Sequence, residues 1–128
     1  AREAVKLPGA LACIGALFET LVLHELAAAD SYQGRAGRIS YWRTPSGTEV
    51  DFIWSRGDRT VGIEVKSAGH WKPEWSKTLN ELMDAGSLSA AFGVYTGHER
   101  LRQGKVLILP CAEFVQALYD GTIFAPVP

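Results

Sequence analysis

The sequence predicts an α/β fold, a central mixed β-sheet flanked by helices. Three observations predict it. A largely apolar stretch of helical length, LACIGALFETLVLHELAAA, comes first. Three runs rich in β-branched and aromatic residues follow, divided by Pro45-Ser46-Gly47 and Arg56-Gly57-Asp58, which read as turns. A second helical segment, two more strand-like runs and a closing helix complete the pattern.

Residues 1–10 read as the remnant of a linker, with Pro8-Gly9 as a breaker, and the domain itself as 11–128. The first helix is expected from Leu11 or Ile14 to Ala29, ending in polar Asp30-Ser31 and a loop carrying Gly34 and Gly37. Strands are expected at about 38–44, 48–55 and 60–67. Pro73 suits the first turn of a helix running to Ala85, and Gly86 stops it. Further strands are expected at about 89–96 (with AAFGVYT) and 105–109 (KVLIL). The last helix, Pro110 to Tyr119, ends at Gly121. The order is αβββαβ with an extra strand and helix.

A chain of 128 residues is long enough for one domain to bury a core without disulfide or metal staples. No apolar run reaches membrane-spanning length, because Glu19, Thr20, His24 and Glu25 interrupt the first helix. No basic segment with a cleavage site precedes it, so a cytoplasmic protein with no membrane partner is expected. The chain starts at Ala1 and its one Met is Met83, so it reads as a piece cut from something longer. Cys13 and Cys111 lack CxxC spacing and read as buried thiols in a reducing compartment. With three scattered His they make a poor zinc set.

The net charge of −1 argues weakly against nucleic acid, but the distribution argues for it. From Gln33 to Lys77 lie eight basic residues: Arg35, Arg38, Arg43, Arg56, Arg59, Lys66, Lys72 and Lys77. The same span holds five acids, Glu49, Asp51, Asp58, Glu64 and Glu74. If Asp51 and Glu64 hold a metal, the remaining excess of cations suits a phosphate-facing surface. The alternative is a set of solvated hairpin charges.

Chemistry concentrates in EVDFIW and GIEVKS. Alternation along a strand places Asp51 on one face with Glu49, and Val50 and Phe52 on the other. In the next strand Glu64 and Lys66 share a face, with Ile63 and Val65 opposite. Carboxylates in a strand interior are costly unless paired or holding a cation. An Asp, twelve residues, then Glu-x-Lys has the shape of a magnesium-dependent phosphodiesterase site.

This segment resembles the core motif of the PD-(D/E)XK nuclease superfamily, in which a hairpin supplies Asp and Glu-x-Lys. Gly15-Ala16-Leu17-Phe18-Glu19 is similar to the glycine-to-glutamate segment opening the first helix of many members. More narrowly, GALFETLVLHEL, YWRTPSGTEVDFI and GIEVKS together resemble the nuclease-like C-terminal domain found behind an AAA+ ATPase domain in many prokaryotic proteins. The likeness runs from about Gly15 to Cys111. It implies a restriction-endonuclease-like core and hydrolysis of DNA phosphodiester bonds. It implies catalytic residues Glu19, Asp51, Glu64 and Lys66, and an ATPase domain in the same full-length chain. Magnesium or manganese would be held by Asp51, Glu64 and the Val65 carbonyl, a hard oxygen set that suits such ions.

Alternatives stand beside these roles. Glu19 projects between Leu23 and Leu26, but Glu25 also lies in the apolar arc, and either could pair with an Arg such as Arg43. The family position favours Glu19. Glu49 reads as an outer residue or a solvent-facing charge. Lys66 could orient or deprotonate the attacking water, neutralise the phosphate, or simply bridge Glu64 or Asp51. Arg43 could clamp phosphate, and Trp71 and Trp75 could stack a base; Trp54 reads as core or lid. His24-Glu25 begins an HExxH pattern that Ala28 breaks, and no GxSxG or Walker A segment occurs. The competing function is a silent nuclease-fold module for nucleic-acid binding or assembly, with its second or last helix as the surface for homo-oligomerisation. A small-molecule hydrolase has little support.

Overall fold

In the computed structural model the described residues are 8–32, 38–43 and 49–124, with 8–16, 32, 41–43, 49 and 124 described by backbone alone. Helix α1 spans Pro8–Tyr32. It is longer at both ends than the sequence suggests. Pro8, expected to break structure, opens the helix instead, since a first-turn residue needs no amide donor.

Strands β1 (Arg38–Arg43), β2 (Glu49–Arg56) and β3 (Arg59–Lys66) follow. The expected second helix divides into a 3-10 turn, Pro73–Ser76, and α2, Lys77–Asp84. Strand β4 (Ala90–Tyr95), a short β5 (Leu101–Gln103), β6 (Val106–Pro110), α3 (Cys111–Asp120) and a 3-10 turn (Thr122–Phe124) complete the order. Gly86 and Gly121 follow α2 and α3 at φ 76° and 79°, left-handed positions that end helices cheaply only with glycine. Strand β5 escapes sequence reading because three residues are too few to show a period.

The six strands form one mixed sheet in the order β1-β2-β3-β4-β6-β5. β1, β2 and β3 are antiparallel neighbours, β3-β4 and β4-β6 are parallel, and β5-β6 is antiparallel. Each face carries a core. On one, Val22, Leu26 and Ala29 of α1 and Phe114 and Leu118 of α3 cover Phe52, Trp54, Val61, Ile63 and Val65. On the other, Leu79 of α2, Trp71 and Leu88 cover Val50, Ala91, Val106 and Ile108.

Strict alternation would put Val50 and Phe52 on one face, and the structure corrects this. Ser40 pairs with Ile53 but Trp42 pairs with Val50, so Tyr41 opposes both Asp51 and Phe52. The extra residue in β2 is a β-bulge, which resets the alternation and sends Val50 into the core opposite Phe52. The bulge falls at Asp51.

Polar ties fix the helices. Asp30 at the end of α1 accepts from Trp54 Nε1 and from Arg56 Nη2, both at 3.3 Å. Asn80 of α2 donates to the Gln103 carbonyl at 3.0 Å and accepts from the Lys105 amide at 2.7 Å. Among the described residues no helix is long and apolar enough to cross a membrane.

Candidate active site

The β2–β3 ladder runs in register from Arg56↔Arg59 to Phe52↔Ile63. One step further the same register sets Asp51 opposite Glu64. There the carboxylates take over the ladder. The Val65 amide donates to Asp51 Oδ2 at 2.8 Å, and the Asp51 amide donates to Glu64 Oε1 at 3.3 Å. Each acid thus accepts from the backbone of the other's strand, which satisfies two donors left open where the β2–β3 ladder ends.

Glu64 is largely enclosed, its side chain 13% exposed. Burial and the neighbouring Asp51 carboxylate push its pKa from 4.5 up to about 7. Lys66 acts in the opposite direction, its Nζ 3.4 Å from Glu64 Oε2, without offsetting them. The ammonium also lies 5.3 Å from the centre of the Trp75 ring. Of the alternatives open for Lys66, the bridge to Glu64 is made, and it is compatible with each of the others.

Trp75 is half-buried and meets Trp71 edge-on, with ring centres 5.3 Å apart. Trp71 does not offer the stacking face expected of it. It is 8% exposed, belongs to the core on the α2 face, meets Tyr95 edge-on, and donates from Nε1 to the buried Ser76 hydroxyl at 2.8 Å. A ring held this way is a packing residue; the indole toward the carboxylates' lysine is Trp75.

Glu19 is half-buried on α1, and Val22, Leu26 and Ala29 of that helix pack on the Val61–Ile63–Val65 face of the sheet. Alternation puts Glu64 and Lys66 on the other face. Among the described residues no three His, Cys, Asp or Glu side chains gather into a metal cluster. The acids whose contacts bring them together are the pair Asp51 and Glu64, while Glu19 sits on the helix that packs on the other face of β3. Glu25, the other acid in the arc, points to α3: Tyr119 Oη donates to its Oε1 at 3.3 Å. Burial, with Glu25 beside it, raises the pKa of Cys111, which is half-buried rather than fully enclosed. The side chains of Arg43, Glu49 and Cys13 lie outside the described residues.

Residues 14–114 match a family described as a domain of unknown function, DUF4143. The chain belongs to that family. No curated protein and no solved structure matches it. The span matched to DUF4143 holds Asp51, Glu64, Lys66, Trp71 and Trp75, so the whole cluster belongs to the family's domain.

The donors present in this DUF4143 domain are hard oxygens: the Asp51 and Glu64 carboxylates and the Val65 carbonyl. Backbone N–H and C=O of one strand residue point to the same side. The Val65 carbonyl therefore opens toward the gap its amide bridges to Asp51. That donor set fits magnesium or manganese, which take oxygen ligands and keep several waters. An apolar hollow of about 550 Å³ between α1 and β1 is lined, among the described residues, by Leu23, His24, Ala27, Ile39, Ser40 and Phe52, and by none of the described acids.

Lys72 was not singled out in the sequence, although it falls in the basic span. Its Nζ lies 5.5 Å from the same Trp75 ring. Gly93 was missed too, and its signal was visible: a lone glycine inside an apolar strand marks a close approach.

Proposed function

We propose that the domain is a metal-dependent nuclease that hydrolyses phosphodiester bonds of DNA. One observation carries the reading. Two carboxylates converge where a hairpin ladder opens, each held by the other strand's backbone, with a lysine ammonium on one of them. This is also the arrangement that the likeness to PD-(D/E)XK nucleases implies for Asp51, Glu64 and Lys66.

Asp51, Glu64 and the Val65 carbonyl would hold magnesium or manganese. When bound, the ion lowers the pKa of a coordinated water and offsets charge developing on the phosphate. The chain's own groups do the rest. Asp51 and Glu64 are fixed in place by backbone amides, so little reorganisation accompanies the reaction. Lys66 faces the reacting phosphate, where its ammonium orients the water or stabilises the pentavalent centre. Hydrolysis joins the water oxygen to phosphorus and leaves a proton on the departing sugar oxygen. The test uses supercoiled, linear and single-stranded DNA with manganese, the domain joined to its ATPase portion and supplied with ATP. Metal-dependent cleavage by wild type, lost in Asp51→Ala, is expected; intact substrates throughout would end the reading.

A second reading is an assembly module serving the ATPase. It is favoured by Leu17 and Leu21, one helical turn apart on α1 and 68% and 53% exposed. Leu17→Ser with Leu21→Ser should then abolish assembly while no DNA form is cleaved by the unaltered protein.

A further inference from the structure

We propose that Lys72 binds the phosphate next to the scissile one, so that the site accepts a polynucleotide strand in preference to an isolated phosphodiester. The inference rests on the nuclease reading above and names its substrate class. Lys66 and Lys72 converge on a single indole, their Nζ atoms 5.3 and 5.5 Å from the centre of the Trp75 ring. Lys66 belongs to the reaction centre through Glu64. Lys72 is exposed and, among the described residues, forms no ion pair. Arg56, Arg100 and Lys105 by contrast each sit on a carboxylate.

That difference matters. A carboxylate cancels the charge of its cation, whereas an aromatic face holds an ammonium in place and leaves the charge available to an anion. Trp75 is itself held edge-on by Trp71, which Ser76 anchors, so the ring is a fixed support. A nucleic-acid strand presents a phosphate roughly every 3.4 Å of its axis. Two ammoniums on one ring, one of them at the reaction centre, therefore suit neighbouring phosphates of one strand. Trp75 serves as the positioning residue and Lys72 as the contact.

The test compares wild-type full-length protein with Lys72→Gln, Trp75→Phe and Trp75→Leu on a single-stranded oligonucleotide and on bis(p-nitrophenyl) phosphate, a diester with one phosphate. Lys72→Gln should raise KM for the oligonucleotide about tenfold with kcat nearly unchanged, and leave the small diester unaffected. Anisotropy of a labelled oligonucleotide in chelator should show the slope of log K against log salt falling by about 0.7, one phosphate contact. Trp75→Leu should reproduce both losses, and Trp75→Phe should retain most of the wild-type behaviour. A Lys72→Gln protein with wild-type KM and salt slope, still cleaving the oligonucleotide, overturns this inference and leaves the nuclease reading standing. Wild type that cleaves neither substrate overturns both.

Discussion

Gly93 lies beside Glu64 on the neighbouring parallel strand, and the space its missing side chain leaves is filled by the ring of Trp71. A Cβ built on Gly93 would stand 2.6 Å from Trp71 Cη2 and 3.0 Å from Ile108 Cγ1. The glycine lets the indole lie against the sheet next to the acidic residue. Through its edge contact with Trp75, this also sets where the ring under Lys66 and Lys72 sits.

Gly93→Ala should therefore act at two levels. Overpacking of this kind costs about 1–3 kcal/mol, readable as a lower denaturant midpoint with an unchanged m-value. The displaced Trp71 should also alter near-ultraviolet circular dichroism. Gly69→Ala is the control, since a Cβ there meets nothing within 4 Å. Equal stability of the two variants would mean that Trp71 does not depend on the gap.

The raised pKa of Glu64 gives stability a pH dependence of definite sign. The folded state binds the proton more tightly than the unfolded chain, about 7 against 4.5. The favourable contribution is complete below pH 4.5 and is lost as pH rises toward and through 7. The loss is on the order of 3 kcal/mol at most. In chelator, wild type should lose stability across that window relative to Glu64→Gln, which cannot ionise. Parallel stability curves for the two proteins from pH 4.5 to 8 would contradict this.

A divalent ion should reverse that penalty, because it favours both carboxylates in their charged form. Manganese at about one hundred times its Kd should add about 2.7 kcal/mol to the folded state. The gain should be larger at pH 8 than at pH 5, where protonated Glu64 competes. Asp51→Asn should abolish it. Calorimetric titration and melting curves, in chelator and in millimolar manganese, provide the check; identical melting temperatures for wild type would refute the metal site.

Much of this was legible in the sequence because the signals were local. Turn residues and strand composition placed β2 and β3 to within a residue, and the Asp–x12–Glu-x-Lys spacing put Asp51 and Glu64 on neighbouring strands. The bulge was not legible. It depends on how β1 meets β2, and a period of two carries no mark of a skipped partner. The choice between Glu19 and Glu25 was hidden for a related reason: a helix apolar around most of its circumference does not declare which face meets the sheet. Trp71 and Trp75 looked alike in sequence, and only packing shows that Gly93 admits one and leaves the other beside the lysines.

Lys66 separates binding from chemistry most sharply. Its ammonium touches Glu64 but lies outside the oxygen set that would hold the ion. Lys66→Ala should therefore leave manganese affinity within a few-fold of wild type and reduce cleavage by about 10²-fold or more, the usual scale for losing a group that acts in the transition state. Asp51→Ala should remove binding and cleavage together, since it deletes a ligand and the acceptor of the Val65 amide. Isothermal titration with manganese, run beside single-turnover cleavage of a labelled duplex, distinguishes the two losses. If Lys66→Ala instead cleaves at the wild-type rate, the lysine is only Glu64's partner in an ion pair. The reaction would then have to draw its charge stabilisation from elsewhere in the site.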